Sequence, residues 1–310
     1  MTVEKIQKDV IVNECPTSVT ITSQELIKGE MSPETCALAV SAVKTYGYVV
    51  LENAVPHECL DTLYEKIEED TKKLLVNPNW NAIGRVKGHL QPSPPRYAPY
   101  VFRELISNSF AAQVTKEAFG DNTFIKSYSA NANCPDSKSQ PIHVDGDDTA
   151  LIVNIGLTDI TEYNGSIELW PGTHLIRDFG TRIPPSVFEG RRKIAPPIRA
   201  NTKKGSLLIR HTQLWHRGMP NYSGRVRHMI ATMHYKYGSD LGEPLKFNKG
   251  CEAELENPIL HPNVEFTDQI IDLTPKDSFF GICKDTFFRL SPEAFNFAAK
   301  LYRETLKRKG

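Results

Sequence analysis

The chain has 310 residues, of which 40% are hydrophobic and 24% are charged. Its 37 basic and 37 acidic residues give a formal net charge of zero. Proteins that bind nucleic acid or a membrane surface usually carry a basic excess. The charge balance therefore argues against a nucleic-acid partner and against a membrane partner.

The six cysteines are scattered and form no CxxC motif, which is typical of free thiols in a reducing compartment. The first residues contain no apolar segment of the secretory type. No run of about 18 uncharged apolar residues occurs that would span a bilayer. We therefore predict a cytoplasmic protein that is a monomer or a homodimer.

The first part of the chain, about residues 20–120, predicts a layer of helices. One helix should begin at Ser32, with Pro33 in its first turn, and end at Gly47. The segment "ISNSFAAQVTKEAFG" predicts another that ends at Gly120. Between them, "PHECLDTLYEKIEEDTKKLL" has an apolar stripe of helical period, formed by Leu60, Leu63, Ile67 and Leu74.

Residues 77–100 form a long segment rich in Pro, Gly and Asn. Irregular segments of this length inside a globular chain are often functional. We predict that part of it lines the mouth of a substrate site. The predicted substrate-binding residues are Lys87, His89 and Gln91.

From about residue 123 to 237 the pattern changes to short apolar strands separated by turn signals such as "YNGS" and "PGTH". Few helices interrupt these strands, which favours a barrel or a two-sheet jelly roll over a doubly wound α/β fold. Residues 238–310 predict an irregular tail that closes with a helix. The sequence thus predicts one domain, 1–310, mainly β with a helical layer.

The stretch "HVD" places His143 two residues before Asp145 at the start of a predicted strand. Alternate residues of an extended chain point to the same side, so both side chains could reach one metal ion. Taken alone the pattern is weak, because a polar strand edge with solvated acids looks the same. Asp147 and Asp148 fit that second interpretation.

His216 supplies a third candidate ligand after another predicted strand. Two histidines and one carboxylate leave about three coordination positions open, which suits an Fe(II) that must bind O2 and a co-substrate. Zinc uses the same ligand types, although it is usually tetrahedral and needs one open position. Both metals remain open at this point.

Arg227 lies 11 residues after His216, at the start of the next predicted strand. A buried guanidinium there could bind a carboxylate through two parallel hydrogen bonds. A metal centre with such an arginine suits 2-oxoglutarate, whose ketoacid end chelates iron while its far carboxylate needs a cation. We favour Arg227 over the neighbouring Arg225, which fits a surface position.

The stretches "HVD", "EYNGSIELWPGTH" and "LWHRGMPNYSGRVR" together resemble the phytanoyl-CoA dioxygenase-like (PhyH) family of Fe(II)/2-oxoglutarate-dependent oxygenases. The resemblance extends over about residues 45–237. It implies a double-stranded β-helix, a jelly-roll or cupin-like barrel, flanked by N-terminal and C-terminal helices. It also implies that iron binds His143, Asp145 and His216, and that Arg227 binds the distal carboxylate of 2-oxoglutarate.

The resemblance implies further co-substrate contacts from Gln140 and Asn154. Many family members carry a hydroxyl two residues after the distal histidine, where this chain has Gly218. The missing hydrogen bond could come from Thr173. Halogenating relatives replace the carboxylate ligand by a small residue, so the presence of Asp145 favours oxygen transfer or desaturation.

The resemblance therefore implies a dioxygenase that uses Fe(II), 2-oxoglutarate and O2 to oxidise a small-molecule substrate. Hydroxylation is the leading outcome, and desaturation and rearrangement stay open. One alternative is a non-catalytic metal-binding jelly-roll protein, which would have no use for a carboxylate clamp at Arg227. A zinc hydrolase with the same three ligands is another, but it lacks an evident general base.

Overall fold

The computed structural model describes residues 16–75, 86–269 and 271. Within this part of the chain the helices are α1 Ser23–Lys28, α2 Pro33–Tyr46, α3 His57–Leu75, α4 Arg103–Ile106, α5 Ser109–Phe119, α6 Pro185–Arg192 and α7 Glu252–Leu255. The strands are β1 Ser18–Thr20, β2 Tyr48–Glu52, β3 His89–Leu90, β4 Phe124–Asn133, β5 Ala150–Gly156, β6 Ile167–Leu169, β7 Ile198–Ala200, β8 Leu207–His211, β9 His216–Arg217, β10 Arg227–Tyr235, β11 Leu245–Asn248, β12 His261–Pro262 and β13 Val264–Thr267.

Local sequence signals account for the ends of the main helices. The Ser32 side chain caps α2 by accepting a hydrogen bond from Thr35 N, and Asn108 caps α5 by accepting from two backbone amides. The helix α2 ends at Gly47, whose φ of +83° lies in the left-handed region that favours glycine. These ends agree with the sequence prediction.

The largest sheet has eight strands. Its main path runs β1-β2-β8-β5-β10-β4-β12, and β3 pairs with β4 beside it. The central pairs β2/β8, β8/β5, β5/β10 and β10/β4 are antiparallel. A second sheet of three antiparallel strands has the order β7-β6-β9. The described fold is therefore rich in sheet and carries a layer of helices.

The two faces of the large sheet differ, as the period of two in a strand requires. One face packs against α2, α3 and α5 to form the main hydrophobic core. It contributes Leu151 and Val153 of β5 and Ile209 of β8 to that core. The opposite face bears Ile152, Asn154 and Arg210 and borders a cavity. The helical layer thus supports one face and leaves the other for the site.

The predicted irregular tail is more ordered than expected over its described part. The strands β11 and β13 pair in parallel, β12 joins the edge of the large sheet, and the short α7 lies between β11 and β12. This pairing is between distant residues and has no local periodicity in the sequence. The predicted final helix lies outside the described residues. No helix in the described ranges is long and apolar enough to cross a membrane.

Candidate metal centre and carboxylate site

Three side chains that the sequence singled out converge at one place. One ligand atom from each of His143, Asp145 and His216 lies within 4.8 Å of the other two. The Nε2 atom of His143 is 3.6 Å from Oδ1 of Asp145, and Nε2 of His216 is 3.2 Å from Oδ2. This donor set, two imidazoles and a carboxylate, could hold one metal ion with positions left for other ligands.

The backbone holds the two histidines together. His143 N donates to His216 O, and His216 N donates to His143 O, both at 3.0 Å. The two residues therefore form an antiparallel bridge, although they are far apart in the chain. Asp145 follows two residues after His143, so its side chain points to the same side. The separation of the ligands is set by main-chain hydrogen bonds.

Hydrogen bonds also fix the form of both imidazoles. Nδ1 of His143 bonds to Pro141 O at 2.8 Å, and Nδ1 of His216 bonds to Leu214 O at 2.9 Å. A carbonyl oxygen can only accept, so the ring proton of each neutral histidine must sit on Nδ1. Nε2 is then left with its lone pair, which is the form that a metal ion requires.

The electrostatics of the centre favour the same protonation states. Burial lowers the pKa of His216 to about 4, so this histidine is neutral near pH 7. Burial by itself would raise the pKa of the Asp145 carboxyl, but His216 and Arg210 overcome this and hold it well below its usual value. The site therefore presents an ionised carboxylate beside a neutral imidazole.

These ligands border a cavity of about 240 Å³ between the two sheets. Its far end is formed where β10 begins, at Arg227. The remaining wall combines apolar side chains with small neutral polar ones. Its lining residues include Leu90, Ser129, Asn131, Asn133, Ile152, Ile167, Met229, Ala231 and Met233.

Arg227 is the buried cation that the sequence predicts. It is 4% exposed, and its Nη2 donates to Gly165 O at 3.0 Å. Nε and Nη1 are buried and find no hydrogen-bond partner within the described chain. Burial lowers the pKa of Arg227 to about 10, so the guanidinium stays charged at neutral pH. Two unpaired N–H groups on a buried cation fit a carboxylate ligand.

Gly165, in the "YNGS" turn, supports this arginine through its carbonyl. Its φ is +86°, and a Cβ atom there would lie 2.8 Å from Met219 O. A larger residue would therefore be strained and would also clash with the neighbouring backbone. The glycine allows the turn to approach closely enough for its carbonyl to hold Nη2 of Arg227.

Gln140 and Asn154 both border the cavity. Oε1 of Gln140 accepts from Gly218 N at 2.8 Å, and Oδ1 of Asn154 accepts from Arg210 Nε at 3.0 Å. Because an arginine nitrogen only donates, the oxygen of Asn154 must face it. Nδ2 of Asn154 is then the amide atom left for another acceptor.

Gly218 stands where many relatives carry a hydroxyl, and its surroundings explain the difference. A Cβ atom at this position would lie 2.7 Å from His89 Cε1 and 2.9 Å from Gln140 Oε1. His89 is itself held by a hydrogen bond from Nε2 to Lys138 O at 2.7 Å, and its burial lowers its pKa. Imidazole and amide groups therefore occupy the space of the missing side chain.

Two predicted residues are not brought to the cavity. The Thr173 hydroxyl donates to Trp170 O at 2.7 Å and accepts from Trp215 N at 3.0 Å. It is fully buried and bonded to the backbone, so it does not replace the hydroxyl missing at position 218. The Lys87 side chain is exposed and does not border the cavity. The other two predicted substrate residues, His89 and Gln91, do border it.

The acids next to the ligand pair have local partners. Asp147 accepts from Thr149 N at 3.1 Å, and Asp148 pairs with Arg177 at 2.8 Å. These contacts match the predicted turn and surface roles. Arg225 is exposed, as expected for the alternative to Arg227.

Sequence reasoning missed Arg210, which belongs to the same site. It lies on β8, is 5% exposed, and donates from Nη2 to Asp145 Oδ2 at 2.7 Å. The available signal was a single arginine in the otherwise apolar strand "GSLLIRH". Charged residues are rarely fully buried without a partner, so this position called for an acid elsewhere in the chain.

The chain is similar to known proteins in fold and in sequence. One solved structure that resembles the chain is AviO1 from Streptomyces viridochromogenes Tue57. It has a TM-score of 0.53 at 18% sequence identity, and the match covers 68% of this chain and 99% of that one. At this identity the likeness concerns the fold. The family model described as phytanoyl-CoA dioxygenase (PhyH) matches residues 43–229, more than half of the sequence, and the chain therefore belongs to the PhyH family.

Proposed function

We propose that this protein is a non-haem Fe(II)- and 2-oxoglutarate-dependent dioxygenase that oxidises a small molecule. The observation that carries the proposal is Arg227, a buried guanidinium with two unpaired N–H groups. It borders the same cavity as the His143-Asp145-His216 triad, whose Nδ1 atoms bond to backbone carbonyls. A metal-binding protein without a dicarboxylate ligand would gain nothing from leaving this charge unpaired.

Six residues that border the cavity have stated roles in this proposal. His143, Asp145 and His216 hold Fe(II), and Arg227 binds the distal carboxylate of 2-oxoglutarate. Gln140 and Asn154 are further co-substrate contacts. When bound, Fe(II), 2-oxoglutarate and O2 supply the oxidant for a substrate C–H bond, with succinate and CO2 as co-products.

The wall of the cavity orients the substrate and limits access of water. The volume of about 240 Å³ lies just below the usual range for small-molecule pockets, roughly 300–1,000 Å³. His89 and Gln91 border the cavity at and next to β3. We assign them contacts with the substrate. The apolar and neutral polar lining favours hydroxylation of a small organic molecule, with desaturation or rearrangement as other outcomes of the same oxidant.

The proposal includes a finer description of the fold. The eight-stranded and three-stranded sheets are the two halves of a double-stranded β-helix, and the ligands lie where they face each other. Support comes from the cavity, which is lined by strands of both sheets. One hydrophobic core joins the helical layer to the large sheet, which supports a single oxygenase domain.

The test is the binding and consumption of 2-oxoglutarate by the full chain. We expect calorimetry to show 2-oxoglutarate binding only when a divalent metal such as Mn(II) is present. With Fe(II) in air, we expect succinate to form, and His143→Ala to abolish its formation. His261→Ala is the matched control, since His261 lies on the edge strand β12 and its side chain is exposed.

Two results would contradict the proposal. One is succinate formation in His143→Ala at the wild-type rate. The other is metal binding by the wild type with no measurable 2-oxoglutarate binding, which would favour a non-catalytic metal-binding jelly-roll protein instead.

A further inference from the structure

The cavity contains a second buried cation, Arg210, at its metal end. Arg210 extends from β8 and borders the cavity with Asp145 and Asn154. The backbone of Arg210 pairs with Ile152 on β5, so its side chain rises from the floor of the cavity. This position is separate from that of Arg227, which lies at the start of β10.

The hydrogen bonds of Arg210 are only partly satisfied. Nε donates to Asn154 Oδ1 at 3.0 Å and Nη2 donates to Asp145 Oδ2 at 2.7 Å. These two contacts occupy one edge of the guanidinium. Nη1 is buried and has no partner among the residues that the structure describes. An arginine that only served to orient Asp145 would have no need to bury a further donor nitrogen in the wall of a ligand cavity.

Formal charge points the same way. Among the described lining residues, two arginines face a single acid, Asp145, which leaves one positive charge in excess. In the proposed enzyme, Fe(II) adds two positive charges and 2-oxoglutarate two negative ones, so the excess is unchanged. A buried cation beside a divalent metal, sharing its only carboxylate with that metal, is unfavourable unless a further anionic group lies next to it.

We propose that Arg210 is a second anion anchor, which binds a carboxylate group at the metal end of the cavity through Nη1. The inference rests on the proposed function, because the charge balance assumes Fe(II) and 2-oxoglutarate. The carboxylate has two possible sources. It is either the C1 carboxylate of the co-substrate or an anionic group of the primary substrate.

Two probe ligands distinguish these sources in the full chain saturated with Mn(II). Pyruvate carries a C1 carboxylate and a keto group but no distal carboxylate. If Arg210 holds the C1 carboxylate, Arg210→Gln weakens pyruvate binding at least tenfold, as measured by calorimetry. Arg225→Gln removes an exposed charge and should leave pyruvate binding unchanged.

The second probe is acetate, added to the complex that already contains Mn(II) and saturating 2-oxoglutarate. If Arg210 holds a substrate carboxylate, acetate binds near the metal, and its methyl protons show paramagnetic relaxation from Mn(II). Arg210→Gln should then abolish this relaxation enhancement at constant ionic strength. Arg225→Gln is again the control for the loss of one positive charge.

Arg210→Lys is measured in parallel, because it keeps the charge and removes the planar fork. Its affinity for the responsive probe should lie between those of the wild type and Arg210→Gln. If Arg210→Gln fails to fold, the test depends on Arg210→Lys. The proposal is then overturned if Arg210→Lys binds pyruvate and acetate as tightly as the wild type does.

The proposal is also overturned if Arg210→Gln folds and binds pyruvate and acetate as the wild type does. In that case Arg210 serves only to orient Asp145. These results leave the proposed function intact provided that the wild type binds 2-oxoglutarate. Absence of 2-oxoglutarate binding in the wild type would instead remove the proposed function itself.

Discussion

The two ends of the cavity treat the same residue type differently. At the metal end, Arg210 pairs with the carboxylate of Asp145 and with the amide of Asn154. At the far end, Arg227 has one carbonyl partner, and two of its nitrogens are unpaired. Arg210, which has an acid beside it, uses one edge of its guanidinium for the protein's own structure and keeps only Nη1 for a ligand. Arg227 has no acid beside it among the described residues, so two of its nitrogens are open to a ligand. Burying this unpaired charge lowers the stability of the ligand-free fold.

The substitution with the largest expected effect is Arg227→Met, which tests whether Arg227 serves a ligand and not the structure. We expect the affinity of the Mn(II)-loaded protein for 2-oxoglutarate to fall by roughly 3–6 kcal/mol, since two hydrogen bonds to a charged group contribute about 1.5–3 kcal/mol each. The ligand-free variant should be as stable as the wild type, or more stable by about 1–4 kcal/mol, because an unpaired buried charge is gone. Calorimetry and urea unfolding measure the two effects.

The diagnostic result is a loss of 2-oxoglutarate affinity without a loss of stability. Loss of both affinity and stability would mean that Arg227 is a structural residue. Arg225→Met is the matched control, and neither quantity should change in it.

The second substitution is Asp145→Ala, which acts on the metal end. Even changes in groups that merely orient a metal ligand cost about 10–100-fold in affinity, so loss of a ligand should weaken Mn(II) binding by about 100-fold or more. The free energy of unfolding should also fall, by about 1–3 kcal/mol, because Arg210 loses its acceptor. Electron paramagnetic resonance of free Mn(II) gives the affinity.

The control for this variant is Asp147→Ala, which removes an acid two residues away that caps its own turn. Wild-type Mn(II) affinity in Asp145→Ala would contradict the assignment of the ligands.

A third substitution sharpens the description of the Arg227 end. Gly218→Ser restores the hydroxyl of many relatives, but its Cβ would lie 2.7 Å from His89 Cε1. We expect a loss of about 1–3 kcal/mol in the free energy of unfolding from overpacking. Adding His89→Ala should recover part of that loss. If Gly218→Ser is neutral by itself, the space around Gly218 is larger than described.

The last expected effect, which is small near neutral pH and grows only in acid, concerns the buried His234 on β10, which faces α5 and bonds to Thr115 at 2.9 Å. Burial lowers the pKa of His234 to about 3, against about 6.5 in the unfolded chain. The unfolded state therefore takes up a proton first as the pH falls. Its contribution to stability is complete above about pH 6.5 and is lost toward pH 3, at up to about 1.4 kcal/mol per pH unit.

His234→Gln should flatten this dependence by the same slope, because glutamine does not titrate. Urea unfolding between pH 5 and 7 compares the two proteins. Equal slopes would show that the folded and unfolded states bind the same number of protons at His234, so that its pKa is not lowered by folding.

Local rules were enough to predict much of the framework. Ser32, Pro33 and Gly47 bound α2 because caps and left-handed turns depend on neighbours in the chain. The β pattern after residue 123 was visible because strands alternate or run apolar over a few residues. The triad and Arg227 could be predicted because each lies at the start of a strand or next to a turn. There, the spacing of residues along the chain restricts the directions in which their side chains point.

The features that could not be predicted from the sequence depend on contacts between residues far apart in the chain. Arg210 has its acid 65 residues away, and no local pattern connects the two. Thr173 was predicted as a donor for the co-substrate, but its hydroxyl donates to Trp170 O and accepts from Trp215 N. The parallel pairing of β11 with β13 joins short segments without a periodic signal.

The reciprocal hydrogen bonds between His143 and His216 have a consequence for how this scaffold diversifies. The geometry of the centre depends on the β-bridges that His143 makes with His216 and with Arg182, and not on the length of the chain between the bridged residues. Residues 181–183 pair with the chain around His143, so the segments between the bridged residues can change in length without moving the ligands only where these pairs are kept. Loops that make none of these pairs can therefore be redesigned for a new substrate while the main chain keeps the ligand pair in place.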